Sequence, residues 1–389
     1  MSMMKNRTRL FASVMALALL IPSLGAAAPL EDSLPVEVSA PSLVLAEAET
    51  GTVIFEKNAD ERREAASITK LMTALLVLEA LEDKDVALED QVTVSSNAAA
   101  MKGSQALLDA GAVYSLEDLL RTTIMASAND SAVALAEYLS GTEENFVQRM
   151  NECATALGMK NTQYVNCTGY PQEGQYTTAR DVMTLSCAVS RHPAYHTYAS
   201  IWIDTLTHPG GRITDLTNTN RLVRFYEGCD GFKTGSTDAA RYCLSATASK
   251  NGMRLIAVVL GCENSQARFT DARRMLDYGF ASYQRMTIAR KGELLGQSLP
   301  VQRGSADEVA LMLPSGLSML LRNGQASQLR IELLLPESVD APIAAGQIVG
   351  TAKVLMGDTV VAQLNVAAAA DVPLPGFVEG FYRILNAWR

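Results

Sequence analysis

Two short runs rich in apolar and β-branched residues, Leu43–Glu47 and Thr52–Glu56, flank Glu49-Thr50-Gly51 and predict a β-hairpin. Leucines then recur at Leu71, Leu75, Leu78 and Leu81, the spacing of one helical face, which predicts a helix over 68–82. The middle of the chain reads as helices over 115–125, 129–139, 143–157 and 178–190. Strands return at 228–234, 241–249 and 253–262, with Gly and Asp turn signals between them. A last helix over 265–283 is expected on the far side of their sheet. A hairpin, a helical insertion and three further strands predict an α+β fold: one antiparallel sheet with flanking helices and a helical subdomain. From about 285 the pattern shortens to alternating runs, Val309–Leu313, Gln328–Leu334 and Val360–Val366, punctuated by Gly304, Gly316, Gly324, Gly346 and Gly357. That predicts a small all-β domain, a sandwich or barrel, with a C-terminal extension of the first domain as the alternative. Ala367–Ala370, followed by Pro373 and Pro375, reads as a linker.

The two ends of the chain carry different signals. Lys5, Arg7 and Arg9 precede an apolar stretch from Leu10 to Leu20 and the small residues Gly25-Ala26-Ala27-Ala28, the layout of a secretory signal peptide. An uncleaved anchor is disfavoured, because the apolar run falls short of the ~20 residues a bilayer core needs. At the other end, a helix drawn from Pro375 puts Phe377, Val378, Phe381, Ile384, Leu385 and Trp388 on one side and Glu379, Arg383 and Asn386 on the other. A helix this short and amphipathic is expected to lie in a membrane interface, packing on the protein itself being the alternative. The expected organisation is a leader over 1–28, a catalytic domain over 38–284, a β-rich domain over 285–372 and a membrane-associating tail over 373–389.

Composition narrows the partners. Hydrophobic residues make up 48% of the 389, enough for a large core. The formal charge is −9, and the leader holds only basic groups, so the remainder is more acidic still. Nucleic acid is therefore not an expected partner, since phosphate binding needs clustered Lys and Arg. Six cysteines, Cys153, Cys167, Cys187, Cys229, Cys243 and Cys262, permit disulfides in an exported protein and match no zinc or CxxC spacing. Cys229 and Cys243 are placed to face each other across a hairpin; the alternative is that all six are small buried hydrophobes.

Three short motifs carry the chemistry: Ser67-x-x-Lys70, Ser127-x-Asn129 and Lys233-Thr234-Gly235. The first two also occur elsewhere, at Ser2–Lys5, Ser95–Asn97 and Ser249–Asn251, so context has to separate them. Ser67 opens an apolar helix, and Lys70, three positions on, shares its face at about 5–6 Å between Cβ atoms. That puts an amine within hydrogen-bond reach of a hydroxyl, the arrangement of a nucleophile and its base. A helix-capping serine beside a snorkelling lysine would look the same in isolation. A lysine base needs its pKa lowered by ~3 units from about 10.4, through burial against Leu71 and Met72 and a second cation, for which Lys233 is the candidate. Ser127 and Asn129 lie in a short inter-helix loop, where Ser127 can relay a proton and Asn129 can bind a substrate amide. Lys233 and Thr234 would offer charge and a hydroxyl to a carboxylate, and Gly235 would let a substrate backbone approach.

With these motifs the chain resembles the low-molecular-weight penicillin-binding proteins, the serine D-alanyl-D-alanine carboxypeptidases. The resemblance extends through Ser67-Ile-Thr-Lys70-Leu-Met-Thr-Ala74, Gly158-Met-Lys-Asn-Thr162, Asn166-Cys-Thr-Gly169, Thr178-Ala-Arg-Asp181, Asn218-Thr-Asn220 and Leu276-Asp-Tyr-Gly-Phe280, about residues 40–283. Ala128 and Cys167 depart from the residues usual at their positions, and neither is a reacting group. The resemblance implies that Ser67 attacks the carbonyl between the two terminal D-alanines of a peptidoglycan stem peptide while Lys70 takes its proton. The N–H groups of Ser67 and Ser236 would form an oxyanion hole. Ser127 and Lys233 would pass the proton to the leaving D-alanine, and Thr234, with Arg268 as a second candidate, would hold its carboxylate. β-Lactams would acylate Ser67, no cofactor or metal is called for, and the enzyme would work on the outer face of the cytoplasmic membrane. A D,D-endopeptidase, a class A-like β-lactamase and a non-catalytic β-lactam or muropeptide sensor are the alternatives. A class A β-lactamase would need a Glu-x-x-Leu-Asn segment, and the stretch from Asn166 to Arg180 has none.

Overall fold

The computed structural model describes residues 34–377 and residue 381. The leader expected over 1–28 lies outside the described residues, as do 378–380 and 382–389 of the tail. Strands β1 (Ser42–Glu47) and β2 (Val53–Lys57) form the predicted hairpin. After a helical segment come β3 (Cys229–Thr237), β4 (Arg241–Lys250) and β5 (Met253–Cys262). All pair antiparallel in the order β2-β1-β5-β4-β3. The central strands are buried on both faces because alternate side chains feed different cores. Val44 and Ala46 of β1 and Ile256, Val258 and Leu260 of β5 face the helical segment. Leu43, Leu45, Leu255, Ala257 and Val259 meet Phe269, Ala272, Met275 and Leu276 on the helix over 265–282.

The helices are α1 (Lys70–Glu82), α2 (Leu116–Met125), α3 (Asn129–Ser140), α4 (Glu143–Ala156), α5 (Ala179–Val189) and α6 (Ser265–Ser282). Four of these have side-chain caps that accept an orphan N–H of the first turn: Ser115 from Asp118, Thr142 from Asn145, Thr178 from Asp181 and Asn264 from Ala267. The leucine spacing of α1 predicted one apolar face, yet every residue from Lys70 to Leu78 is buried. A helix apolar on all sides belongs inside a domain, and α1 is packed by α2, α3, α5 and the sheet core. Shorter pieces were not predicted: a helix at Pro193–Ala199, a hairpin of Ile203–Thr207 with Ile213–Thr217, and the paired strands Gln91–Thr93 and Val113–Ser115.

Beyond α6 the described residues to 372 form strands and turns, with one 3₁₀ turn at Gln325–Gln328. Tyr283–Ala289 pairs with Leu317–Arg322, and a six-stranded sheet includes Leu294–Gln302, Glu308–Met312, Leu329–Leu334, Ile348–Met356 and Thr359–Ala368 around its own apolar core. Two expectations need correction. Ala367 and Ala368 are not linker: they pair with Met312 and Leu311 and are buried, small side chains filling a crowded strand interior. The six cysteines are all free, and Cys229 and Cys243 do not face each other, because β3 and β4 pair them with Ala248 and Gly235. Among the described residues no helix is long and apolar enough to cross a membrane.

Candidate active site

Ser67 lies in the tight turn Ala66–Thr69 that leads into α1, where Ala66 takes a left-handed φ of +47°. Two glycines hold this turn. A Cβ on Gly235 of β3 would stand 2.3 Å from the Ala65 carbonyl oxygen, and one on Gly169 would stand 1.9 Å from that of Ala66. Neither position tolerates a side chain without moving the serine turn. Gly235 was expected to admit a substrate backbone; what approaches its Cα is the protein's own backbone.

One turn into α1, Lys70 is 1% exposed. Its Nζ lies 3.1 Å from Ser67 Oγ, 2.6 Å from Asn129 Oδ1 and 2.7 Å from the Thr168 carbonyl oxygen. Burial lowers its pKa to about 7, against the opposing influence of Cys167 and Asp130. The orientation of the Asn129 amide is fixed, because Nδ2 donates to the Lys102 carbonyl at 2.5 Å. Two of the three neighbours of Lys70 Nζ are therefore oxygens that only accept. A neutral amine has two hydrogens and one lone pair. With both hydrogens given to Asn129 and Thr168, the lone pair is left facing the Ser67 hydroxyl.

The loop over Asn129 is tied down from below. Asn129 N–H donates to the Ser104 carbonyl at 2.7 Å, and buried Asp130 accepts from the N–H groups of Ala106 and Leu108. Ser127 is 3% exposed, two residues before Asn129, with φ +64°, a conformation that costs energy outside glycine. Sequence spacing placed Asn129 on the substrate; its oxygen instead serves Lys70, leaving the second hydrogen of Nδ2 for a ligand.

Opposite these helices runs β3, the outer strand of the sheet. An outer strand keeps one row of peptide groups unpaired, so it can receive an extended peptide as a further strand. Lys233 is 1% exposed and donates to the Thr234 carbonyl at 3.1 Å. Burial pushes its pKa well down, and the charges of Lys70 and Arg268 push the same way. Each buried amine thus disfavours a proton on the other. Thr234 is buried and Ser236 exposed at the end of the motif. Arg268 of α6 reaches the back of the same strand, donating to the carbonyls of Gly235 at 3.1 Å and Cys243 at 3.4 Å.

The segment 166–170, visible in the sequence only as part of a resemblance, completes the site. Asn166 Oδ1 accepts from the N–H groups of Thr168 and Gly169 and from Thr168 Oγ1, while its Nδ2 donates to the Tyr170 carbonyl. This knot presents the Thr168 carbonyl to Lys70. Its signal was the pair Asn166 and Gly169: an Asx-type turn closed by a residue at φ +77°.

Residues 27–264 match the family described as D-alanyl-D-alanine carboxypeptidase. The chain belongs to that family. Residues 283–374 match the C-terminal domain of penicillin-binding protein 5, in line with the all-β segment. Among curated relatives, the D-alanyl-D-alanine carboxypeptidase DacF of Bacillus subtilis is 36% identical over 350 residues, covering 90% of each chain. DacC of Escherichia coli is 33% identical over 352 residues, covering 87% of this chain and 86% of its own. Penicillin-binding protein 5 from Haemophilus influenzae superimposes with a TM-score of 0.77 at 29% identity, covering 88% of this chain and 99% of that one. The carboxypeptidase fold thus extends over both domains of the chain.

Proposed function

We propose that this protein removes the terminal D-alanine from peptidoglycan stem peptides through an acyl-enzyme on Ser67. The observation that carries this reading is the amine of Lys70, buried, depressed to about 7 and 3.1 Å from Ser67 Oγ, with both of its hydrogens committed elsewhere. Ser67 Oγ attacks the carbonyl carbon of the penultimate D-alanine, and its proton passes to Lys70 Nζ. The N–H groups of Ser67 and Ser236 receive the oxyanion. The C–N bond to the terminal D-alanine then breaks, and its nitrogen takes the proton, relayed by Ser127 with Lys233. Water hydrolyses the ester and restores Ser67. Thr234 holds the terminal carboxylate, with Arg268 as the second candidate, and Asn129 Nδ2 meets a substrate amide oxygen. No step calls for a metal or an organic cofactor. A β-lactam presents an amide, strained by its four-membered ring, and a carboxylate placed like that of the dipeptide, so it acylates Ser67; the leaving nitrogen stays tethered through the opened ring, and the adduct persists.

The basic-apolar-small leader and the amphipathic tail support export and attachment to the outer face of the cytoplasmic membrane. Phe377, among the described residues of the tail, is exposed, as an interfacial side chain needs to be. The test of the reaction is mass spectrometry of a defined stem pentapeptide before and after treatment, with Ser67→Ala as control. Loss of one alanine that depends on Ser67 is expected. Intact peptide, or cleavage that survives the substitution, contradicts the reading.

A further inference from the structure

We propose that Glu143 is a positioning residue for Lys70, acting through the backbone of Cys167 and Thr168; the inference rests on the function just given. Glu143 opens α4 behind Thr142, its cap, and its Oε1 accepts the Cys167 N–H at 3.0 Å. From the other side, Thr73 Oγ1 donates to the Cys167 carbonyl at 2.6 Å. The peptide units on both sides of Cys167 are therefore held, one from α4 and one from α1. The next carbonyl along, that of Thr168, is the one 2.7 Å from Lys70 Nζ.

A carbonyl at this point has a defined task. It takes one of the two hydrogens of the neutral amine, and without it the lone pair is no longer directed at Ser67 Oγ. Asn166 folds the loop through side-chain contacts within 166–172, while its N–H donates to Gln175 Oε1 at 3.2 Å and Gln175 Nε2 reaches Thr69 Oγ1 only at 3.4 Å. Glu143 and Thr73 hold the peptide units beside Thr168 directly, at 3.0 and 2.6 Å. Glu143 also faces the Cys167 thiol, whose pKa burial and the Glu143 carboxylate together push well up. The thiol stays neutral beside the amine. Glu143 contacts no reacting group.

Reach, not charge, is the property required. Gln at 143 keeps an acceptor at the same distance, Asp keeps the charge and the favourable acid in the first helical turn but falls one methylene short, and Ala keeps neither. The readout is acylation by benzylpenicillin across pH, resolved into the non-covalent binding constant and the acylation rate. Asp130 and Lys233 are untouched in all three variants, and burial, the first cause of the raised Cys167 pKa, remains in each.

Glu143→Asp and Glu143→Ala should acylate about tenfold or more slowly on the alkaline plateau, with the binding constant unchanged. Their ascending limb should move to lower pH, because a displaced carbonyl no longer favours the ammonium. Glu143→Gln should stay within about threefold of the parent, with the limb in place. Asp suits the first turn of a helix, so its result stands even where Ala does not fold. An Asp variant acylating at the parent rate, or a Gln variant as slow as Asp, overturns the inference. An unmodified parent protein would instead overturn the function on which it rests.

Discussion

A buried amine is costly when charged and useful when neutral, and Lys70 is held where this trade matters. Lowering its pKa from 10.5 to about 7 corresponds to about 5 kcal/mol against the ammonium. The sign for stability follows. Between pH 7 and 10.5 the unfolded chain binds the proton that the folded one has released, so this residue makes the protein more stable as pH rises through that window. Lys70→Met removes the penalty along with the base. Benzylpenicillin acylation should vanish in this variant. Its stability relative to the parent, from denaturant titrations, should fall by about 2 kcal/mol between pH 7 and pH 9. An unchanged difference would mean that Lys70 titrates normally. The glycines beside Ser67 make a steric prediction at the same scale. Gly235→Ala forces a Cβ to 2.3 Å from the Ala65 carbonyl. It should cost about 1–3 kcal/mol of stability and slow acylation much more than a distant change of equal cost, as thermal melts and stopped-flow acylation would reveal.

At the scale of elements, long periodic stretches were readable and short or backbone-built ones were not. The strands over 229–237, 241–250 and 253–262 and the helices around 120, 135, 150 and 185 were legible from their turn residues and apolar spacing. Three-residue strands such as Gln91–Thr93 carry too few positions to show a period. Ala367 and Ala368 misled because small residues suit a linker and an overfilled strand interior equally well. In the site, Ser67 and Lys70 were legible because helical geometry alone brings i and i+3 together. The Thr168 carbonyl was not, since any residue type has one, and Glu143 is visible only once α4 has a direction. The β3–β4 register separates Cys229 from Cys243, so alkylation of the denatured protein without reductant should label all six cysteines. A mass short by two labels would reveal a disulfide.

For the whole molecule, the catalytic fold and the β-rich segment are joined closely: α6 ends at Ser282, and the next strand starts at Tyr283. Arg285 in that strand donates to Glu49 in the β1–β2 turn at 2.6 Å. The catalytic and substrate-binding residues all precede Pro375. Removing 376–389 should release the protein from the membrane fraction while turnover of the pentapeptide in solution is unchanged, as fractionation and an alanine-release assay would register. Retention in the membrane fraction would point to another attachment.

The most direct test of the account is the pH dependence of the second-order rate at which benzylpenicillin acylates the protein, with the adduct located by peptide mapping. The account predicts a single ascending limb near pH 7, lost together with acylation in Lys70→Met, and an adduct on Ser67. A rate that is flat from pH 5 to 9, a limb at the ordinary lysine value, or an adduct on another residue would contradict it.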